Sequence, residues 1–139
     1  MAIRPTSLTP LLHVFDMLES IRLYRDVLGF SVASASPEID AVEGRYFHWA
    51  LLHLGDAELM LNTAYDANTR PPARETERWR GHADTALYIG CDELDAIHGQ
   101  LASQGVTVEP PTLAPYGMRQ LHVTDPDGYQ LCFQHPAAA

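Results

Sequence analysis

The hydrophobic residues near the start of the chain change from a strand-like to a helix-like spacing. Residues 11–15 form a short apolar run, which predicts a strand. The residues after it place apolar side chains on one helical face, with Ile21, Tyr24 or Arg25, and Leu28. Asp16 stands at the N-cap position with Glu19 three residues later, and Gly29 is placed to end the helix. Residues 30–33 then predict another strand.

The second half of the chain repeats this order. Residues 85–91 predict a strand, and the helical face that follows carries Leu94, Ile97 and Leu101. Asp92 is the predicted N-cap, with Asp95 three residues later, and Gly105 is placed to end the helix. Residues 106–108 predict the next strand.

The two halves align at an offset of 76 residues. Five identities recur at that spacing: Asp16 and Asp92, Leu18 and Leu94, Ile21 and Ile97, Gly29 and Gly105, Val32 and Val108. Each cap, apolar stripe and helix-ending glycine recurs in the same order, which favours a duplicated module over chance.

Further strands follow each predicted helix. In the first half, residues 45–54 and 57–62 flank Gly55-Asp56, a pair suited to a two-residue turn. In the second half, residues 118–124 and 129–133 flank Asp125-Pro126-Asp127-Gly128, where proline presets φ and glycine accepts a positive φ. Each half therefore predicts a βαβββ module.

We expect one domain over residues 1–139, built from module one at about 8–62, a linker at 63–83 and module two at about 84–135. The segment between the modules is rich in proline, arginine, glutamate and threonine, and indicates a surface connection without a defined element. Its Trp79 is interpreted as an anchor to the nearest module, with a cavity mouth or a subunit interface as the alternative.

The charge of the chain excludes several functions. Nine arginines and no lysine face eighteen acidic residues, for a net charge of −9. Nucleic acids and anionic membranes require a basic face, so neither is an expected partner. The absence of lysine removes Schiff-base chemistry and a lysine-bearing phosphate loop. An acidic protein can attract a cationic ligand, although acidity is also common in proteins that bind no cation.

The compartment is predicted from what the sequence lacks. No apolar run reaches the roughly 18 residues that a membrane helix needs, and the first residues lack a signal-peptide pattern. Cys91 and Cys132 are too few for a disulfide framework and are interpreted as free buried thiols. The sequence therefore predicts a soluble, cytoplasmic protein.

Two motifs resemble the vicinal oxygen chelate superfamily, which includes glyoxalase I, the extradiol dioxygenases and the bleomycin-resistance proteins. Residues 24–30, Tyr-Arg-Asp-Val-Leu-Gly-Phe, resemble the helix end of its first module, and residues 125–129, Asp-Pro-Asp-Gly-Tyr, resemble its closing hairpin. The resemblance spans roughly residues 8 to 135. It implies an α+β fold of paired βαβββ modules, whose curved mixed sheet forms a cup around a ligand. It also implies a homodimer.

The resemblance also marks where the metalloenzymes of this superfamily carry their ligands. The corresponding positions here are Thr9, Leu59 or Leu61, Asp84 or Ala86, and Cys132. Glu58 is one residue out of register and is expected to point to the other face. Nickel, zinc, iron or manganese in such a site requires imidazole and carboxylate ligands, so no metal and no other cofactor is expected. The loop pair His82 and Asp84 is a weaker metal candidate.

Strand parity suggests which residues line the cup. The candidate ligand-binding residues are His13, His48, Met118, Gln120, His122 and Cys132. Histidine, amide and thiol groups among apolar residues suit a small organic ligand with a few polar groups. Each histidine has an alternative role as a sheet residue bonded to backbone or water.

Three functions are compatible with this site. The favoured hypothesis is a metal-free binding protein of the bleomycin-resistance type, which holds a small organic ligand in a dimeric cup. The alternative is a lyase or isomerase of the same superfamily with atypical or no metal ligation, in which His13, His122 or Cys132 acts as base or nucleophile. The third is an accessory protein whose cavity serves a partner. The sequence therefore leaves the catalytic residues unknown.

Overall fold

The computed structural model describes residues 2–41, 44–66 and 68–138, which form two compact units. Unit 1 comprises the chain up to Leu18 together with residues 30–70. Unit 2 comprises residues 19–29 and the chain from Pro71 onward. The division runs through the first helix, so most of that helix belongs to unit 2.

Unit 1 contains one four-stranded sheet and a separate two-stranded hairpin. Its strands are β1 (Leu11–Val14), β2 (Ser31–Ala35), β3 (Ile39–Ala41), β4 (Gly44–Tyr46), β5 (Trp49–Leu54) and β6 (Ala57–Thr63). The main sheet has the order β1-β6-β5-β2, with β1 parallel to β6 and the other pairs antiparallel. Leu54 pairs with Ala57, so Gly55-Asp56 forms the predicted two-residue turn.

The two faces of the unit 1 sheet differ in burial. The core face carries the buried residues Leu12, Val14, Ala50, Leu52, Leu59 and Leu61. The other face, which we call the His13 face, carries Leu11, His13, Trp49, Leu51, His53, Glu58, Met60 and Asn62. Side chains alternate along each strand, so these two sets cannot mix.

Unit 2 contains the second four-stranded sheet and the helices. Its elements are α1 (Met17–Ile21, shared with unit 1), which continues as a π-helical turn over Arg22–Val27, α2 (Thr76–His82), α3 (Leu94–Ser103), β7 (Ala86–Gly90), β8 (Thr112–Leu113), β9 (Met118–Thr124) and β10 (Gln130–Pro136). The sheet order is β7-β10-β9-β8. Its core face carries Leu121, Val123, Leu131 and Phe133. The apolar residues Leu94 and Leu101 of α3 are also buried.

The predicted α+β class and both predicted helices are confirmed. Asp16 accepts a hydrogen bond from the backbone N–H of Leu18 at 3.1 Å, as an N-cap does. Gly29 and Gly105 follow the two helices with φ of 90° and 77°, the left-handed conformation of a C′ glycine.

Several local predictions are wrong. Glu19 does not close a capping box, because its carboxylate binds Arg74 at 2.6 Å. The second helix has Glu93 rather than Asp92 at its N-cap, and no side chain caps it. Residues 106–108 are not a strand, and the linker contains α2.

Among the described residues, no helix is both long and apolar enough to cross a membrane.

Candidate functional site

The turn at residues 125–128 fixes the register of β9 against β10. One carboxylate oxygen of Asp125 accepts hydrogen bonds from the backbone N–H groups of Asp127 and Tyr129, both at 2.9 Å. The other oxygen accepts from the hydroxyl of Tyr24 at 2.7 Å. Gly128 has φ of 89°, which favours glycine at the end of the turn. The turn is therefore tied both to itself and to the first helix.

Helix α2 closes over the same turn. The indole N–H of Trp79 donates to the carbonyl oxygen of Pro126 at 3.1 Å. Nδ1 of His82 donates to the carbonyl oxygen of Asp127 at 2.7 Å, and the imidazole stacks on Tyr129 with ring centroids 4.0 Å apart. Trp79 thus anchors the linker to unit 2, as one of the two interpretations of this residue predicts.

Charged groups around the turn form a partly buried network. Arg74 binds Glu19 and lies 3.5 Å from a carboxylate oxygen of Asp127, to which the hydroxyl of Ser20 also donates at 3.4 Å. Burial raises the pKa of Asp125 to about 6, against the lowering effect of the Tyr24 hydroxyl and the two backbone donors. Sequence reasoning missed this network, although two aspartates in one turn were its visible signal.

Four of the predicted ligand-binding residues share one face of the unit 2 sheet. His122 lies directly opposite Cys132 across the β9–β10 pair, and Gln120 and Met118 follow on the same side of β9. We call this surface the His122 face; it also includes Tyr88, Gln130 and Gln134.

Polar groups on the His122 face are held in place by one another. Gln120 is only 5% exposed, and its side-chain amide donates to the Tyr116 hydroxyl at 2.7 Å and to the side-chain oxygen Oε1 of Gln134 at 3.0 Å. His122 is exposed, and Tyr88 next to Cys132 is 56% exposed. The surface therefore combines a fixed amide, an accessible imidazole and an accessible aromatic ring.

The environment of Cys132 disfavours a role as nucleophile. The residue is 2% exposed, and burial raises the pKa of its thiol. The thiolate is the reactive form of cysteine, so a raised pKa leaves a weak nucleophile at neutral pH.

His13 and His48 do not lie together. His13 is exposed on the His13 face of unit 1. His48 immediately precedes β5 and pairs through Nδ1 with the Thr63 hydroxyl at 2.9 Å, with the Tyr46 ring 5.5 Å away. It continues the row of Ala50 and Leu52, as parity predicts, but that row is the buried core face.

Glu58 points to the face opposite Leu59 and Leu61, as strand parity predicts, but that face is the one that carries Thr9. Its carboxylate accepts a hydrogen bond from the Thr9 hydroxyl and a second from Nε2 of His53 at 2.9 Å. The hydrogen bond from the Thr9 hydroxyl holds the pKa of this carboxyl below its usual value; burial opposes this effect and His53 adds to it. Thr9 and Glu58 therefore share a face, and Leu59 and Leu61, the proposed equivalents of a metal ligand, point into the core.

The donor groups at the superfamily's ligand positions do not fit a divalent transition metal. Unit 1 offers the Thr9 hydroxyl and, on β6, the Glu58 carboxylate that Thr9 and His53 already engage. Unit 2 offers the Asp84 carboxylate or the methyl group of Ala86, depending on the alignment, and the protonated thiol of Cys132. Across the described parts of the chain, no three His, Cys, Asp or Glu residues are grouped to hold a metal ion. His82 is engaged by the turn and Tyr129.

The sequence matches the family model of the Glyoxalase/Bleomycin resistance protein/Dioxygenase superfamily over residues 8–133. A comparison with curated proteins found no match. Among solved structures, the chain is similar to TnmS3, an antibiotic-binding protein from Streptomyces sp. CB03234, with 27% identity and a TM-score of 0.62 over 99% of each chain.

Two further structures share the fold at lower identity. The bleomycin-binding protein of Streptomyces verticillus, solved with copper(II)-bleomycin, is 20% identical with a TM-score of 0.64, over 99% of this chain and 100% of the other. A lactoylglutathione lyase from Agrobacterium tumefaciens is 19% identical with a TM-score of 0.64, over 94% of each chain. These two similarities show only the fold. The fold does not determine the function, because one of the two proteins binds bleomycin and the other is a lyase.

Proposed function

Because the chain belongs to the Glyoxalase/Bleomycin resistance protein/Dioxygenase superfamily, we propose that it is a metal-free binding protein for a small organic molecule. The single observation that carries this proposal is the pairing of His122 with Cys132, where the described β9 and β10 residues of the same face include no carboxylate. An imidazole beside a protonated thiol offers polar contact, but it provides neither a metal site nor an activated nucleophile.

The His122 face suits a ligand that combines a ring with hydrogen-bonding groups. Tyr88 offers an aromatic surface, and Gln120 is held by Tyr116 and Gln134, so its orientation is set before a ligand arrives. Few polar groups at fixed positions are characteristic of small-molecule sites. The similarity to an antibiotic-binding protein at 27% identity supports an antibiotic-like ligand. The net charge of −9 favours a cationic one.

We further propose that two copies of the chain complete a ligand cup, with His13 as a second polar contact. A free sheet edge presents unpaired backbone groups that favour pairing with another chain. The edge strands of the unit 2 sheet are β7 and β8, and those of the unit 1 sheet are β1 and β2. Met118 and Gln120 belong to the same proposed contact set, whereas His48 is engaged by Thr63 and is a weaker member.

A thermal-shift screen of antibiotics and related organic molecules tests the binding function. A ligand that binds only the native state at 100 times its Kd stabilises that state by about 2.7 kcal/mol, which raises Tm measurably. Protein treated with a chelator should respond equally, because the proposal involves no metal. If no compound raises Tm, or every response disappears with the chelator, the proposal is wrong.

The alternative, a lyase or isomerase, makes a different prediction for the same hits. An enzyme consumes its substrate, and its rate depends on pH through a group such as His122. Chromatography of each hit after incubation with protein separates the two functions. Recovery of the unchanged compound supports binding, whereas conversion that is lost in His122→Ala supports catalysis.

A further inference from the structure

A pocket in unit 1 lies apart from the His13 face, at the ends of β1 and β6. The space between its walls, open solvent included, amounts to about 260 Å³, and the walls contain aromatic residues and one ion pair. The aromatic residues are Phe15, Tyr46 and Tyr65, and the charged residues are Asp16 and Arg70. Thr63, which lines this pocket, continues the core-side row of β6 with Leu59 and Leu61, so the pocket and the His13 face lie on opposite sides of the sheet.

The pocket already holds a cation from its own chain. The guanidinium carbon of Arg70 lies 5.1 Å from the centre of the Phe15 ring, and a guanidinium nitrogen lies 3.9 Å from a carboxylate oxygen of Asp16. Tyr65 meets the Phe15 ring edge-on at 6.3 Å. An aromatic face beside a carboxylate is the arrangement that binds organic cations.

Carboxylates also act on the pocket wall at Tyr46. The pKa of the buried Tyr46 is raised, chiefly by burial and further by Asp66 and Asp16. These carboxylates disfavour a new negative charge at Tyr46, and by the same field they favour a positive one. Arg70 is the only cationic residue lining the pocket among the residues described.

Arg70 is carried by a segment that belongs to neither a helix nor a strand. Its side chain remains 22% exposed, so the pocket does not fully enclose it. A side chain held in this way can leave the ring without breaking a sheet or helix. The observations therefore describe a cation site with an internal occupant.

We propose that this pocket binds a small organic cation, a quaternary ammonium or guanidinium group, which displaces Arg70 from Phe15 and Asp16. None of its lining residues belongs to the His122 face, and the proposal does not depend on the proposed function. Occupation by Arg70 reduces the apparent affinity for a ligand in proportion to the fraction of molecules in which the pocket is open.

Choline is the probe, and its neutral analogue 3,3-dimethylbutan-1-ol is the matched control for shape. Met17 lines the pocket, so its methyl signal in protein labelled with ¹³C-methyl methionine reports occupation; Met17→Leu assigns the signal. In wild type, choline should shift this signal with weak affinity, and the neutral alcohol should not. Arg70→Ala should tighten choline binding about tenfold, the order of one desolvated cation–π contact.

Three further variants keep the result interpretable. Arg70→Gln retains much of the side-chain stem and should tighten binding in the same direction, even if Arg70→Ala perturbs the loop. Asp16→Asn in the Arg70→Gln background should weaken choline binding several-fold, since asparagine still caps the helix but carries no charge. Arg78→Ala, which removes an exposed arginine from α2, should leave affinity unchanged. Equal affinity in wild type and both Arg70 variants, no binding in any of them, or equal shifts with the neutral alcohol would overturn the proposal.

Discussion

At the scale of single residues, Asp125 connects the 125–128 turn to the first helix through its side-chain hydrogen bonds. Sequence alone predicts the turn, because proline and glycine have fixed backbone preferences. It does not predict that the carboxylate is buried under Tyr24, since that contact joins residues 101 positions apart. The same limit applies to Glu58, whose hydrogen bond from Thr9 joins residues 49 positions apart.

Asp125 should make stability depend on pH in an unusual direction. Its pKa in the folded protein is about 6, above the 3.8 of an unperturbed aspartate, so the folded state binds the proton more tightly. The stabilisation from this proton is complete below about pH 3.8 and is lost as pH rises through 6. We expect Asp125→Asn, which retains the turn acceptor, to remove this loss.

Urea unfolding of wild type and Asp125→Asn at pH 4, 5, 6 and 7 measures the effect. The free energy of unfolding of the variant relative to wild type should increase from pH 4 to pH 7. Asp56→Asn, at an exposed turn, is the control for loss of one carboxylate. A difference between variant and wild type that does not change with pH would show that Asp125 titrates normally.

At the scale of elements, the pattern of apolar residues predicted the helices and strands that have a buried side, and it missed helix α2, which has none. Both main helices and the β9–β10 hairpin have buried apolar rows, and the sequence predicted all three elements. Helix α2 has no buried residue, so no hydrophobic period indicates it. In β5 and β6, parity grouped Ala50, Leu52, Leu59 and Leu61 correctly. The period of two cannot tell which face is the core when both carry apolar residues.

Helix α2 and the turn should be coupled through Gly128. A methyl group at this position would overlap the carbonyl oxygen of Trp79, and φ of 89° adds backbone strain. Gly128→Ala should therefore lower the free energy of unfolding by more than about 3 kcal/mol. Gly105→Ala has a similar φ of 77° and no neighbour within 4 Å, so it should lose only about 1–2 kcal/mol from strain. Chemical denaturation checks this, and equal losses in the two variants would show that α2 does not constrain the turn.

At the scale of the whole molecule, the family follows from two short motifs and a repeat, whereas the ligand does not. The proposed contact residues are spread over four strands, whose faces are known only after folding. The sequence also does not show that certain apolar residues are exposed, namely Leu11, Tyr88, Leu113 and Tyr116. Such residues commonly mark surfaces that meet a ligand or another chain.

We expect the protein to be a homodimer in solution. Sedimentation equilibrium at micromolar concentration should give twice the chain mass of 15.4 kDa. Lysine or glutamate substitutions at exposed Tyr88 would identify the side that pairs if they also produce monomers. A mass of 15.4 kDa for the wild type across the concentration range would contradict the proposed cup of two copies.

The central claim is that a small organic molecule binds the His122 face without a metal. The most direct measurement is calorimetric titration of a screening hit, with a chelator present, into wild type, His122→Ala, His13→Ala and His135→Ala. His135 lies on the same sheet as His122 but on the opposite face, so it is the matched control. We predict that His122→Ala and His13→Ala each weaken binding by roughly 1–3 kcal/mol, and that His135→Ala leaves it unchanged. Wild-type affinity in both His122→Ala and His13→Ala, or an affinity that requires added metal, would contradict the account.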